Sequence, residues 1–389
     1  MNFFGKKRIF LDYASATPLL PEVRRAMEKY WSEEFFNASA IYEEGARVRK
    51  DVEKNRSEIA RILGIKKAEI VFTSGGTEAN NLAVLGVFEA ARSPLDQSRP
   101  ISHPHLIISS IEHSSIREVA QEVIRRGGEV SIAEADEKGY VHFETVKKLI
   151  KSNTVLISIM LANNEIGVLE PVARIGRVVH EARKENGNKY PLFHTDASQA
   201  ANYFDVNLEK LNVDFLTLDG SKIYGPKGVG LLATRSTSVL RPIIFGGGQE
   251  ANLRGGTESP ALVTGFAVAL QAAERDKEKE TKRLLELKQI FIAELERLAP
   301  QVQILSSLEE ALPNIVAVQL PEEMLSELIV LNMDKQGIAV SSGSACLNLS
   351  GKPNESLIRF SLGRRTSKSE IEKTAKVFTQ IINHDKIIP

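Results

Sequence analysis

Asp196 and Lys222 lie 26 positions apart, at the polar ends of two short apolar runs, LFHTD and DFLTLDGSK. A lysine amine that condenses with the aldehyde of pyridoxal phosphate needs a carboxylate against the pyridine nitrogen. The carboxylate keeps that nitrogen protonated, so the ring can accept electrons. Taken singly, an ordinary salt bridge or two solvated charges is the simpler reading of the pair. Thr73-Ser74-Gly75-Gly76-Thr77-Glu78 closes another apolar run and opens a helical pattern. Its glycines let backbone approach an anion, and a helix N-terminus offers free N–H groups. With the Thr77 hydroxyl this suits a phosphate monoester; the plainer alternative is a turn with Thr77 as N-cap. It is not a Walker loop, because no Gly-Lys-Ser/Thr follows.

Two further residues invite chemistry. Cys346, the single cysteine, sits in Val-Ser-Ser-Gly-Ser-Ala-Cys (340–346). Most free cysteines are inert buried hydrophobes, but a lone thiol in a Ser/Gly-rich loop is a nucleophile candidate. Arg359 ends a short apolar run, and its fork matches a substrate carboxylate or, alternatively, an ion pair between domains.

The elements that must position these groups are legible as alternation. EIVFTS (69–74), HLIISS (105–110), VLISIM (155–160), LFHTDA (192–197), DFLTLDG (214–220) and VGLLAT (229–234) read as strands buried on both faces. Stretches 20–35, 43–63, 77–91, 115–127 and 170–186 carry helical spacing between and before them. The pattern predicts an α/β fold with a mostly parallel sheet covered by helices. Ligands bind at the carboxyl ends of such strands, where the polar residues gather. After the glycine-rich 246–256, residues 260–299 read as one long helix and a smaller α/β pattern follows. The expected division is a large domain at 14–256 and a small one from 1–13 and 257–389.

Composition narrows the class of function. The 389 residues balance 50 Lys+Arg against 50 Asp+Glu, so no global basic field points to nucleic acid or a membrane surface. One cysteine excludes a disulfide framework and a Cys-pair metal site within one chain, and no metal is expected. No run of about 18 apolar residues predicts a membrane span. The opening MNFFGKKRIFLDYAS lacks the apolar stretch of a signal peptide, so a cytoplasmic protein is expected.

Taken together, the motifs resemble those of cysteine desulfurases, in the class V aminotransferase group of fold-type I pyridoxal-phosphate enzymes. Along the chain these are LDYASATP (11–18), FTSGGTE (72–78), EH (112–113), NNEIG (163–167), HTDASQ (194–199) and KIYGPKG (222–228). GGGQE…RGGT (246–257), SSGSAC (341–346) and IRFSLG (358–363) complete the order. The resemblance spans nearly the whole chain. It implies a large domain with a seven-stranded-type sheet and a smaller C-terminal α/β domain.

By the same resemblance, Lys222 holds pyridoxal 5′-phosphate covalently, His113 stacks on its ring and moves protons, and Asp196 pairs with the pyridine nitrogen. Asn164 and Gln199 contact the ring hydroxyl side. Gly76, Thr77 and Ser221 hold the phosphate, with Thr257 from the partner subunit of a homodimer. Arg359 and Asn37 hold the carboxylate of L-cysteine. Cys346 takes the sulfur, leaving alanine and a persulfide that passes to an acceptor such as an iron–sulfur scaffold. Alternatives are another class V activity, such as a selenocysteine lyase or aminotransferase, and a non-catalytic paralogue that binds sulfur-transfer proteins.

Three departures stand out. The family's Ser-Gly-His-Lys reads Asp219-Gly220-Ser221-Lys222 here. A carboxylate beside a phosphate is repelled, so Asp219 is expected to turn away or meet a basic residue while Ser221 supplies the hydroxyl. The stretch from Cys346 to Arg359 is shorter than usual. Asn-Pro-Ser-Ser-x-His reads Asn37-Ala38-Ser39-Ala40-Ile41-Tyr42.

Overall fold

The computed structural model describes residues 2–3, 6–93, 100–187, 189–235, 237–343 and 356–384; Cys346 lies outside them. Seven strands build the main sheet: β1 (Ile70–Thr73), β2 (His105–Ser109), β3 (Glu129–Ala133), β4 (Thr154–Ser158), β5 (Leu192–Asp196), β6 (Phe215–Asp219) and β7 (Gly230–Thr234). Their order is β1-β7-β6-β5-β4-β2-β3. Strands β2 to β6 pair in parallel, and only β7 runs against its neighbours β1 and β6. The mostly parallel α/β sheet is therefore as expected.

Burial explains which strands the sequence announces. Strands β1, β2, β4 and β7 are buried at every residue, as helices on both faces require. Strand β3 was not among the expected runs. It lies at the sheet edge, and of Glu-Val-Ser-Ile-Ala only Ala133 is buried. Its polar half-exposed pattern hides it from a search for apolar runs.

Helix α1 (Gly76–Arg92) packs across β4, β6 and β7, and α2 (Ser114–Arg125) packs beside it. The long helix α3 (Pro260–Leu298) opens with Pro260, whose missing N–H costs nothing in the first turn. Its first half meets the helices Pro21–Glu28 and Glu43–Leu63, where Asn55 Nδ2 donates to Thr264 Oγ1 at 2.8 Å. Its second half packs on the helix Lys368–His384 and on a second, antiparallel sheet. That sheet contains β8 (Gln303–Ile304), β9 (Ile315–Gln319), β10 (Ser341–Ser342) and β11 (Leu357–Ser361) in the order β8-β9-β11-β10. Phe291, Phe360 and Phe378 stack edge to face where α3 meets it. The N-terminal Ile9–Phe10 pairs in parallel with Ile338–Ala339, which brings the start of the chain against this C-terminal region.

Candidate active site

The carboxyl ends of β1, β5 and β6 converge on a cavity of about 430 Å³. Asp196 is the last residue of β5, and Lys222 follows β6 in a short 3-10 turn. Because β5 and β6 are parallel neighbours, residues 26 positions apart arrive at one rim. Lys222 Nζ donates to the carbonyls of Ala14 (2.9 Å) and Ser15 (2.6 Å). Burial holds its amine below the ordinary lysine range, opposed chiefly by the Asp219 charge. A lowered value favours the neutral amine, the form that attacks a carbonyl.

Asp196 is held by two donors. Its Oδ2 accepts from Asn80 Nδ2 at 2.8 Å and its Oδ1 from the Ser198 N–H at 2.9 Å. Asn80 also donates to Ser115 Oγ, which sits 2.9 Å from His113 Nδ1. His113 caps α2, its Nδ1 accepting from the Ser115 N–H. That contact makes Nδ1 the acceptor and leaves Nε2 for other partners. A continuous hydrogen-bonded path thus runs from Asp196 through Asn80 and Ser115 to His113. Beneath it, buried Glu112 accepts from Ser109 Oγ (2.6 Å) and the Met160 N–H (2.8 Å), and burial pushes its carboxyl up to about 8.

Gly76 begins α1 and faces the same cavity with Thr77, Ser198 and Ser221. Ser198 is 8% exposed, and among the described residues its Oγ has no hydrogen-bond partner. It stands 3.4 Å from where a Cβ on Gly76 would project. Main-chain N–H groups, three hydroxyls and a helix N-terminus form a donor set suited to a phosphate. An orphaned buried hydroxyl at that spot is what a missing acceptor leaves. With Lys222 and Asp196 alongside, these residues fit pyridoxal phosphate.

One expectation is corrected. Asp219 does not turn away from this cradle, and no lysine or arginine hydrogen-bonds to it among the described residues. Its Oδ2 accepts from the Gly76 N–H at 3.0 Å, while its Oδ1 accepts from Ser221 N–H (2.8 Å) and Ser221 Oγ (2.6 Å). The unsatisfied N–H groups and positive end of α1 attract a carboxylate as they would any anion.

Arg359 lies on β11 and reaches the cavity 5% exposed. It donates to Asn164 O (2.9 Å) and Asp12 Oδ1 (2.8 Å), with Glu165 3.6 Å away. It is ion-paired with both carboxylates, yet its buried Nε has no hydrogen-bond partner among the described residues. Gln199 donates to Ala14 O at 2.9 Å, tying the same rim to the N-terminal segment, and Asn164 donates to Glu165.

Of the twelve residues singled out in the sequence, nine line this cavity: Gly76, Thr77, His113, Asn164, Asp196, Gln199, Ser221, Lys222 and Arg359. Asn37 and Thr257 do not. Asn37 is exposed, its Oδ1 accepting from the Ser39 N–H, and Ser39 meets Glu258 beside Thr257. The segment carrying Cys346 leaves Gly343 and returns to Leu357, whose carbonyl accepts from the Gly343 N–H at 2.8 Å. Both ends lie two residues along the strands from Arg359, because β10 pairs with β11 with Ser341 opposite Arg359. Asn80, Ser115 and Ser198 were missed. Asn80 had a readable signal, a buried amide one turn beyond Thr77 among alanines and leucines.

A lysine and a carboxylate at the ends of adjacent parallel strands, facing an anion seat, suit an enzyme of the aminotransferase type. The chain belongs to the class-V aminotransferase family, whose model matches residues 9–374. Within that family the relatives it matches include cysteine desulfurases. The chain is 37% identical to the cysteine desulfurase IscS of Dictyoglomus turgidum over 97% of its length and 95% of that protein. Among solved structures it resembles a NifS-like protein from Rickettsia africae, with a TM-score of 0.84 and 29% identity, covering 97% of this chain and 100% of that one. It also resembles SspA in complex with cysteine, with a TM-score of 0.76 and 30% identity over 92% of this chain and 99% of that one.

Proposed function

We propose that this chain moves the sulfur of L-cysteine onto Cys346 and releases L-alanine, with pyridoxal 5′-phosphate held covalently at Lys222. The observation that carries the reading is Lys222 and Asp196 at the ends of neighbouring parallel strands, facing one cavity with the Gly76 anion seat. When bound, the cofactor supplies an electron sink for substrate carbanion chemistry.

The chain's own residues do the rest. Asp196, kept in place by Asn80 and Ser198, holds the pyridine nitrogen. His113 would lie against the ring, and with Nδ1 taken up by Ser115 its Nε2 is the atom that would exchange a proton with the substrate. Asn164 and Gln199, which line the same cavity, would contact the ring hydroxyl. Gly76, Thr77, Ser198 and Ser221 take the phosphate, joined by Thr257 of a second subunit. Arg359 holds the substrate carboxylate, and Asp12 and Asn164 fix the angle of its guanidinium. The Cys346 thiolate attacks the substrate sulfur. The sulfur–sulfur bond forms as the substrate C–S bond breaks. The proton lost when the Cys346 thiol becomes the thiolate is matched by one delivered to the substrate β-carbon, so cysteine and thiol become alanine and persulfide.

We assign the large unit to 14–256 and the small unit, which carries the Cys346 segment, to 1–13 and 257–389. The persulfide passes to a sulfur-accepting protein such as an iron–sulfur scaffold, and the enzyme works as a cytoplasmic homodimer. No helix among the described residues is long and apolar enough to cross a membrane. The experiment is an absorption spectrum of the purified protein, then addition of L-cysteine with a thiol reductant, which frees the persulfide sulfur as sulfide, and measurement of alanine and sulfide. A visible band and equimolar products support the reading; a colourless protein that cannot be loaded with pyridoxal phosphate sinks it.

A further inference from the structure

The N-terminus of α1 already carries an anion from within the chain. Asp219 Oδ2 takes the Gly76 N–H at 3.0 Å, the group best placed for a ligand phosphate. Its other oxygen takes both donors of Ser221, the hydroxyl at 2.6 Å and the N–H at 2.8 Å. A Cβ placed on Gly75 or on Gly76 would stand 3.4 Å from Asp219 Oδ2. The carboxylate therefore fills the hollow that these glycines open. Ser198 Oγ, buried in the same hollow, remains unpartnered among the described residues. The seat is thus built for more acceptor oxygens than Asp219 supplies.

We propose that Asp219 is an internal competitor for the phosphate seat, so that the cofactor phosphate binds only by displacing its carboxylate from Gly76 and Ser221. The inference rests on the reading of this cavity as a pyridoxal-phosphate site. Two anions cannot share one N–H and one hydroxyl, and they repel one another at contact. Asp219 thereby weakens affinity for the phosphorylated cofactor and speeds its exchange, while leaving recognition of the ring to Asp196 and His113. An unphosphorylated ring meets no such competition.

The test is a binding titration, read by visible absorbance, of cofactor-stripped protein with pyridoxal phosphate and, separately, with pyridoxal. Wild type is compared with Asp219→Asn, which keeps the shape and removes the charge, and with Asp219→Ser, which restores the hydroxyl usual in the family. Thermal melts confirm that the variants fold. Removing a like charge about 4 Å away is expected to tighten pyridoxal phosphate at least about tenfold, ~1.4 kcal/mol. Affinity for pyridoxal should stay within about twofold. Unchanged or weaker phosphate-form binding in both folded variants overturns the proposal, as does an equal gain for both ligands. If neither wild type nor variants bind pyridoxal phosphate, the reading of the cavity fails and the competitor role with it.

Discussion

Asn80 joins the two groups that would bracket a cofactor ring: its Nδ2 lies 2.8 Å from Asp196 Oδ2 and 2.9 Å from Ser115 Oγ, the partner of His113. An amide on the first turn and a half of α1 therefore fixes the angle of a carboxylate on β5 and the orientation of an imidazole on α2. Removing it leaves Asp196 with one described donor and Ser115 free to turn. Asn80→Ala should lower alanine formation about tenfold, in the range expected when a partner behind a catalytic group is lost. It should also shift the pH at which the visible band of the loaded protein changes. Stopped turnover with an unmoved spectral transition would mean that Asn80 serves folding alone.

The Arg359 guanidinium is committed on two sides, to Asn164 O and Asp12, while its Nε faces no described partner. A lysine in its place is a single point charge without the planar fork. Arg359→Lys should raise the KM for cysteine about tenfold or more, with a smaller effect on kcat, because loss of one charge-assisted hydrogen bond costs about 1.5–3 kcal/mol. Steady-state kinetics on cysteine decide this. A KM unchanged from wild type would remove Arg359 from the substrate site.

Glu112 gives a prediction in pH. Burial raises its carboxyl to about 8 in the folded chain, against an ordinary value near ~4.3 when unfolded. The folded state thus binds the extra proton between those values. The stability from this neutral carboxyl is complete below the lower value and is lost as pH rises through about 8. Glu112→Gln keeps an acceptor for Ser109 and Met160 and cannot ionise. A fall in wild-type melting temperature between pH 5.5 and 8.5 is expected, and it should be smaller in the variant, by no more than a few kcal/mol in equivalent stability. Identical pH slopes would show that Glu112 is already ionised at neutrality.

Much of this was legible beforehand for a physical reason. Strands β1, β2, β4, β5, β6 and β7 are apolar because they are covered on both faces, and that composition marks them. Polar residues at their carboxyl ends then mark the site, as with Asp196 and Lys222. Edge strand β3 escaped because half of it meets solvent. Asn80 and Ser115 escaped because their roles are contacts between helix and sheet, which no spacing within one segment records. Asp219 stands out in the sequence as a departure, but its direction is set by a helix N-terminus 143 positions away. The expectation weighed repulsion from a ligand and left out the attraction of the N–H groups on α1 for any carboxylate.

The central claim is tested most directly at the sulfur. Cofactor-loaded wild type and Cys346→Ser are each given L-cysteine without reductant, alanine is measured, and the intact chain is weighed by mass spectrometry. Wild type should release alanine and gain at least one sulfur atom, which in a chain with a single cysteine must sit on Cys346. Cys346→Ser should still change the visible spectrum on binding cysteine, yet release no alanine and gain no mass. Wild-type alanine formation by Cys346→Ser would contradict the account and turn it toward a class V lyase or aminotransferase that needs no thiol.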